Sequence, residues 1–155
     1  MGINLKERGK LDSALIMFEM SKEKFKSLKE EKVGIYTNIG VIQMDKLMYK
    51  EAEANLLFGL QLAKDYEDKA NQAGAYGNLG LLYCKLKQYN KAIEYGEKGY
   101  DLAMEIEALQ EIKDNSFFLY QTYKETGNKE KALFYYEKHI SIKDSIINED
   151  KSKIY

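Results

Sequence analysis

Apolar residues recur three and four positions apart through most of the chain, the spacing that brings side chains onto one face of an α-helix. Tyr76, Leu79, Gly80 and Tyr83 make one such face; the polar stretch Lys85-Leu86-Lys87-Gln88 interrupts it, and Tyr89, Ala92, Ile93 and Tyr95 begin another. Two helices joined as a hairpin follow. The scheme recurs upstream as Tyr36, Ile39 and Gly40 followed by Tyr49, Ala52 and Leu56, and downstream as Leu119, Tyr123 and Gly127 followed by Ala132 and Tyr136. Helices are predicted near 11–28, 30–46, 48–65, 69–86, 89–106, 110–126 and 129–147.

The hairpins are spaced regularly. Gly34-Ile-Tyr-Thr-Asn-Ile-Gly40 aligns with Gly74-Ala-Tyr-Gly-Asn-Leu-Gly80 at a separation of 40 residues, and Ala52, Ala92 and Ala132 keep the same register. A fixed period of this size marks a stacked repeat array, in which each unit buries its apolar face against its neighbours. A glycine inside a helix costs about 1 kcal/mol against alanine, so Gly80, together with the small Ala92, predicts close approach of the paired helix. Gly9-Lys-Leu-Asp-Ser-Ala14 followed by Phe18 copies the start of a second helix with too few residues before it, which makes a half unit. The expected architecture is all-α, one array over 1–147 built from a partial unit 1–28 and repeats near 33–72, 73–112 and 113–147, with 148–155 starting a connecting helix or tail.

Composition narrows the function. Proline is absent, so no ring breaks a helix interior. The 24 basic and 25 acidic residues nearly cancel, and Arg8 is the one arginine, which removes both the field and the planar forks that favour nucleic acid. Cys84 stands alone, with neither disulfide nor thiolate pair, and leaves the compartment open. No apolar run approaches membrane-spanning length, so no membrane contact is expected of this segment.

These residues resemble the tetratricopeptide repeat family. Its first-helix pattern of an aromatic, then Leu-Gly, then Tyr, with Ala on the second helix, is met by Tyr76, Leu79-Gly80, Tyr83 and Ala92. Tyr36, Ile39-Gly40 and Ala52 match in the preceding unit, where Gln43 replaces the second aromatic. Leu119, Tyr123, Ala132 and Tyr136 match in the last, where Ser116 and Tyr120 depart. The resemblance covers nearly the whole chain, although the usual repeat is about 34 residues and ends near proline. Forty-residue versions look like those of polarity adaptors and of bacterial sensor kinases and regulators. The resemblance implies a right-handed superhelical solenoid of antiparallel hairpins that binds a peptide or partner protein in a concave groove lined by first helices.

In such repeats the residue two before the glycine position often hydrogen-bonds an extended peptide, which implies Asn38, Asn78 and Phe118 here. A carboxamide suits this because it offers donor and acceptor together. Helical spacing sets Val41 and Asp45, Leu81 and Lys85, and Gln121 and Glu125 on the same faces. Buried amides also cap or bridge helices, and Phe118 can equally fill the core between units; both roles stay open at this point. The family's carboxylate-holding receptors carry cations near these asparagines, whereas Gly34, Gly74 and Asp114 occupy those positions, so a carboxylate clamp is disfavoured.

Chemistry finds little support. Gly74-Ala-Tyr-Gly77-Asn-Leu-Gly80 lacks the spacing of a phosphate loop. His139 is the sole histidine and has no partner histidine for a metal, and no Gly-x-Ser-x-Gly elbow is present. Glu30/Glu31, Glu51/Glu53 and Asp65/Glu67/Asp68 read as solvated faces and turns. No catalytic residue, cofactor or metal is therefore expected. The end of the chain keeps apolar positions at Ile140, Ile142, Ile146 and Ile147 around a Lys143-Asp144-Ser145 segment that resembles the exit from repeat arrays in bacterial signalling proteins. With the half unit at the start, this gives two further expectations: the chain is an excerpt of a longer protein, and its end repeats self-associate.

Overall fold

The computed structural model describes residues 4–27 and 33–153. Among them are seven helices and no strand: α1 Leu5–Ser27, α2 Val33–Asp45, α3 Tyr49–Asp65, α4 Lys69–Lys85, α5 Tyr89–Glu105, α6 Leu109–Glu125 and α7 Lys129–Ser152. The chain divides into two compact units, 1–71 and 72–155, with the division in the first turn of α4.

Every link from α2 onward has the same construction. Leu47, Glu67, Lys87, Glu107 and Gly127 adopt left-handed backbone, with φ of 64°, 55°, 59°, 55° and 81°. At each, the left-handed residue donates its N–H to the carbonyl three back, and the next residue donates to the carbonyl five back, as in Leu47 N to Met44 O and Met48 N to Gln43 O. This Schellman closure satisfies carbonyls that a helix end would leave bare. Helices α3 to α6 are each 17 residues long, and the left-handed residues recur every 20 positions. The forty-residue period is thus two equal helix-and-link halves.

In the first unit α2 and α3 pair around Ile39, Met44, Ala52, Leu56 and Ala63, all at most 1% exposed. A Cβ on Gly40 would stand 3.2 Å from Ala52 O and 2.7 Å from Leu56 Cγ. The predicted close approach is therefore present. Helix α1 starts at Leu5, earlier than expected, because Asn4 Oδ1 accepts the Glu7 N–H and caps it. Gly9 lies inside this helix with open space around it. Lys46, just past the end of α2, pairs with Asp12 of α1, and Lys22 lies 5.5 Å from the Tyr36 ring centre. The expected helix start near 30 falls outside the described residues.

In the second unit Leu79, Leu82 and Tyr83 of α4, Ala92 and Ala103 of α5, and Leu119 of α6 form the core. Phe118 supplies the bulk that two glycines lack: its ring occupies the space that Cβ atoms on Gly80 and Gly96 would need. One unit later in register, those glycines are replaced by Tyr120 and Tyr136, whose rings meet at 5.0 Å. Helix α7 continues unbroken to Ser152, beyond the expected end at 147. His139 Nδ1 lies 3.0 Å from Lys113 O and its ring 4.9 Å from Phe117, so it ties α7 to α6.

Candidate functional site

A helix presents residues four apart on one side, and α4 and α6 each turn such a row to a shared cleft. Gly74, Gly77, Asn78 and Leu81 form one wall, and Glu111, Asp114, Asn115 and Phe118 the other, around a volume of about 180 Å³. A Cβ on Gly74 would meet nothing within 4 Å, so that glycine leaves the wall open. In the first unit, Gly34 and Asn38 of α2 line a separate cleft with Val33, Ile35, Tyr66, Asp68 and Asn71, of about 530 Å³. Asp68 is committed there: its carboxylate accepts the Asn71 N–H at 3.1 Å and the Asn71 side-chain amide at 2.6 Å, capping α4.

Both predicted asparagines thus line clefts, each beside the glycine four residues before it. Asn38 is exposed and Asn78 half-buried. Among the described residues neither side chain makes a hydrogen bond to the protein, so capping or bridging does not occupy these amides. Leu81 and Phe118 join Asn78. Phe118 is 7% exposed, and most of its ring serves the core between Gly80 and Gly96. Val41 is half-buried, Asp45 and Lys85 are exposed, and none of the three lines either cleft. Gln121 and Glu125 lie elsewhere, in an open aromatic hollow with Phe117, Tyr120, Lys124 and Tyr136.

Sequence reasoning did not single out Asn115 or Glu111. The signal available was register: Ile35 and Ala75, the counterparts of Asn115, are buried apolar residues, and an amide in that row is out of place. Electrostatically the α4–α6 cleft is acidic, with Glu111 and Asp114 the charged residues of its lining. Gln110 Nε2 donates to both Asp114 oxygens, at 3.0 and 3.1 Å.

A second polar cluster lies at the edge of this unit's core. Tyr123 and Tyr135 both donate to Glu97 Oε1, Lys131 Nζ stands 3.7 Å from the same oxygen, and the two rings stack at 5.7 Å. Burial, reinforced by the Glu97 carboxylate, pushes both phenols above their ordinary value. This arrangement serves packing.

Comparison with known proteins places these features. Residues 32–105 match a family model described as tetratricopeptide repeat, and residues 121–145 match a second model of the same description. An uncharacterized protein, ycf37 of Guillardia theta, is 32% identical over 110 residues, covering 71% of this chain and 57% of its own length. The crystal structure of BtubC (BKLC) from P. vanneervenii superposes with a TM-score of 0.78 at 18% identity, over 91% of this chain and 59% of that one. That likeness is one of fold. The chain spans less than two thirds of either protein.

Proposed function

The chain belongs to the tetratricopeptide repeat family, whose repeats are protein-interaction modules and in general carry no catalysis, and from that premise we propose that it binds an extended segment of a partner protein through the clefts of its first helices. Asn38 serves in one unit and Asn78 in the other, each offering a backbone-matching amide beside a glycine that lets the partner approach. The observation that carries this reading is the pairing itself: two asparagines 40 residues apart in sequence, each lining a cleft and neither hydrogen-bonded through its side chain to the protein among the described residues. A second copy of the chain is proposed as one partner, through the exposed face of α7.

The test is an array of synthetic extended peptides, with the best binders titrated against the parent and the Asn38→Ala/Asn78→Ala variant. Losing hydrogen bonds worth about 0.5–1.5 kcal/mol each predicts roughly tenfold weaker binding, at unchanged helicity by circular dichroism. Equal affinities would remove these amides from the site.

A second reading, the sensory part of a bacterial signalling protein, is favoured by α7 alone. This helix carries Lys143-Asp144-Ser145 without a break and is 24 residues long, against 17 for the repeat helices before it. Sequencing the gene around this segment tests it: a kinase or helix-turn-helix region supports that reading, and continuation as further repeats alone counts against it.

A further inference from the structure

The third unit does not lose its amide; it carries one a helical turn earlier. Where register places Asn38 and Asn78 the unit has Phe118, and three residues before it on the same face stands Asn115. Asn115 is 3% exposed. Its Nδ2 donates to Glu111 O at 2.9 Å, and its Oδ1 is buried with no hydrogen-bond partner. An amide acceptor left in that state carries an uncompensated desolvation cost, and native proteins keep few of them. With Nδ2 turned to its own helix, Oδ1 lies between the spaces that the missing side chains of Gly77 and Gly99 leave, and Gly77 is part of the cleft wall.

The rest of the lining has a matching sign. Glu111 and Asp114 put two carboxylates along the α6 wall, and no basic residue is among the lining groups. Lys113 reaches Asp114 only at 4.0 Å, from outside the cleft. The α6 wall therefore offers acceptors and negative charge, the opposite α4 wall is bare at Gly74 and at Gly77 makes room for the Asn115 amide, and Leu81 and Phe118 supply apolar surface.

We propose that the α4–α6 cleft is a subsite for a cationic side chain, the ammonium of a lysine or the guanidinium of an arginine, carried by the bound partner segment. Asn115 Oδ1 and the two carboxylates accept its N–H groups, charge-assisted bonds being the stronger kind, while Leu81 and Phe118 cover its methylenes. The proposal rests on the peptide-binding reading for the source of the side chain and adds its chemistry.

The experiment titrates ¹⁵N-labelled protein with N-acetyl-lysine methylamide, N-acetyl-arginine methylamide and the neutral N-acetyl-norleucine methylamide. The cationic probes are expected to shift the Gly74 and Gly77 amides and the Asn115 side-chain resonances saturably. The neutral probe should leave them in place, and added salt should weaken the response. The Glu111→Gln/Asp114→Asn variant, altered only at residues that are not part of the core, should fold and bind the cationic probes at least about tenfold more weakly, as expected for removing two charged acceptors. Absent shifts, or equal shifts from norleucine, would overturn the subsite and leave Asn115 Oδ1 to an ordered water alone. If arrayed peptides bind without preference for lysine or arginine, yet bind less to the Asn38→Ala/Asn78→Ala variant, the subsite fails and peptide binding stands. Saturable cationic shifts with no peptide captured would instead uphold the subsite and overturn peptide binding.

Discussion

Leu47, Glu67, Lys87 and Glu107 hold left-handed backbone without being glycine, and an L-residue gives up about 1–2 kcal/mol to do so. The Schellman bonds made at each link offset that cost. These residues explain why the links were legible in the sequence only as polar interruptions: of the five, Gly127 alone carries the expected glycine signal. Lys87 is exposed, so changing it tests backbone strain with little else altered. Lys87→Gly is expected to stabilise the protein by about 0.5–1 kcal/mol, because relief of strain exceeds the extra freedom that glycine gains on unfolding. Gly127→Ala should cost about as much. Urea denaturation checks both, as opposite shifts of the midpoint with an unchanged slope.

Helix pairs are held close by small residues, and the glycines of α4 separate packing from function. A Cβ on Gly80 would stand 2.8 Å from Phe118 Cε1 and 3.1 Å from the Ala92 carbonyl oxygen, a backbone atom that cannot turn aside; one on Gly74 would meet nothing within 4 Å. Gly80→Ala should therefore destabilise by about 1–3 kcal/mol through overpacking. Gly74→Ala should stabilise by up to about 1 kcal/mol through helix propensity while narrowing the cleft and weakening peptide capture. Melting temperature and peptide titration on the two variants would show that split, and a stability loss at Gly74 would contradict it. The same contrast shows what was readable. Gly80 and Ala92 announced close contact because a glycine in a helix needs a compensating partner, and Asn38 and Asn78 were found because the repeat duplicated them. Asn115 escaped because the third unit departs from the pattern at this row, where its counterparts are Ile35 and Ala75. Gln121 and Glu125 were placed by spacing alone, which gives the face of a helix but not which hollow that face borders.

At the scale of the molecule, the all-α class, the seven helices among the described residues and their order follow from period and spacing, because each hairpin repeats one solution to burying an apolar stripe. What spacing could not tell is which stripes stay uncovered. In α7, Tyr136 is 42% and Ile140 37% exposed, whereas their register counterparts Leu56 and Leu60 are 0% and 5% exposed and Tyr100 is 6% exposed. Leu133 and Ile147, three residues before Tyr136 and seven after Ile140 on the same helix side, extend the patch at 57% and 42%. A net charge of −1 gives copies little reason to repel one another. Burying the exposed part of four such side chains in a self-complex is worth on the order of 1 kcal/mol each from either partner, against an association cost of about 4–15 kcal/mol. Self-association through this face should therefore be weak, with a dissociation constant of about 1 mM or weaker. Sedimentation equilibrium is expected to show the average mass rising as the concentration approaches that value, and Leu133→Lys/Ile147→Lys to hold it at the monomer value. A mass that stays constant to the millimolar limit in the parent chain would mean that α7 is not a surface for a second copy.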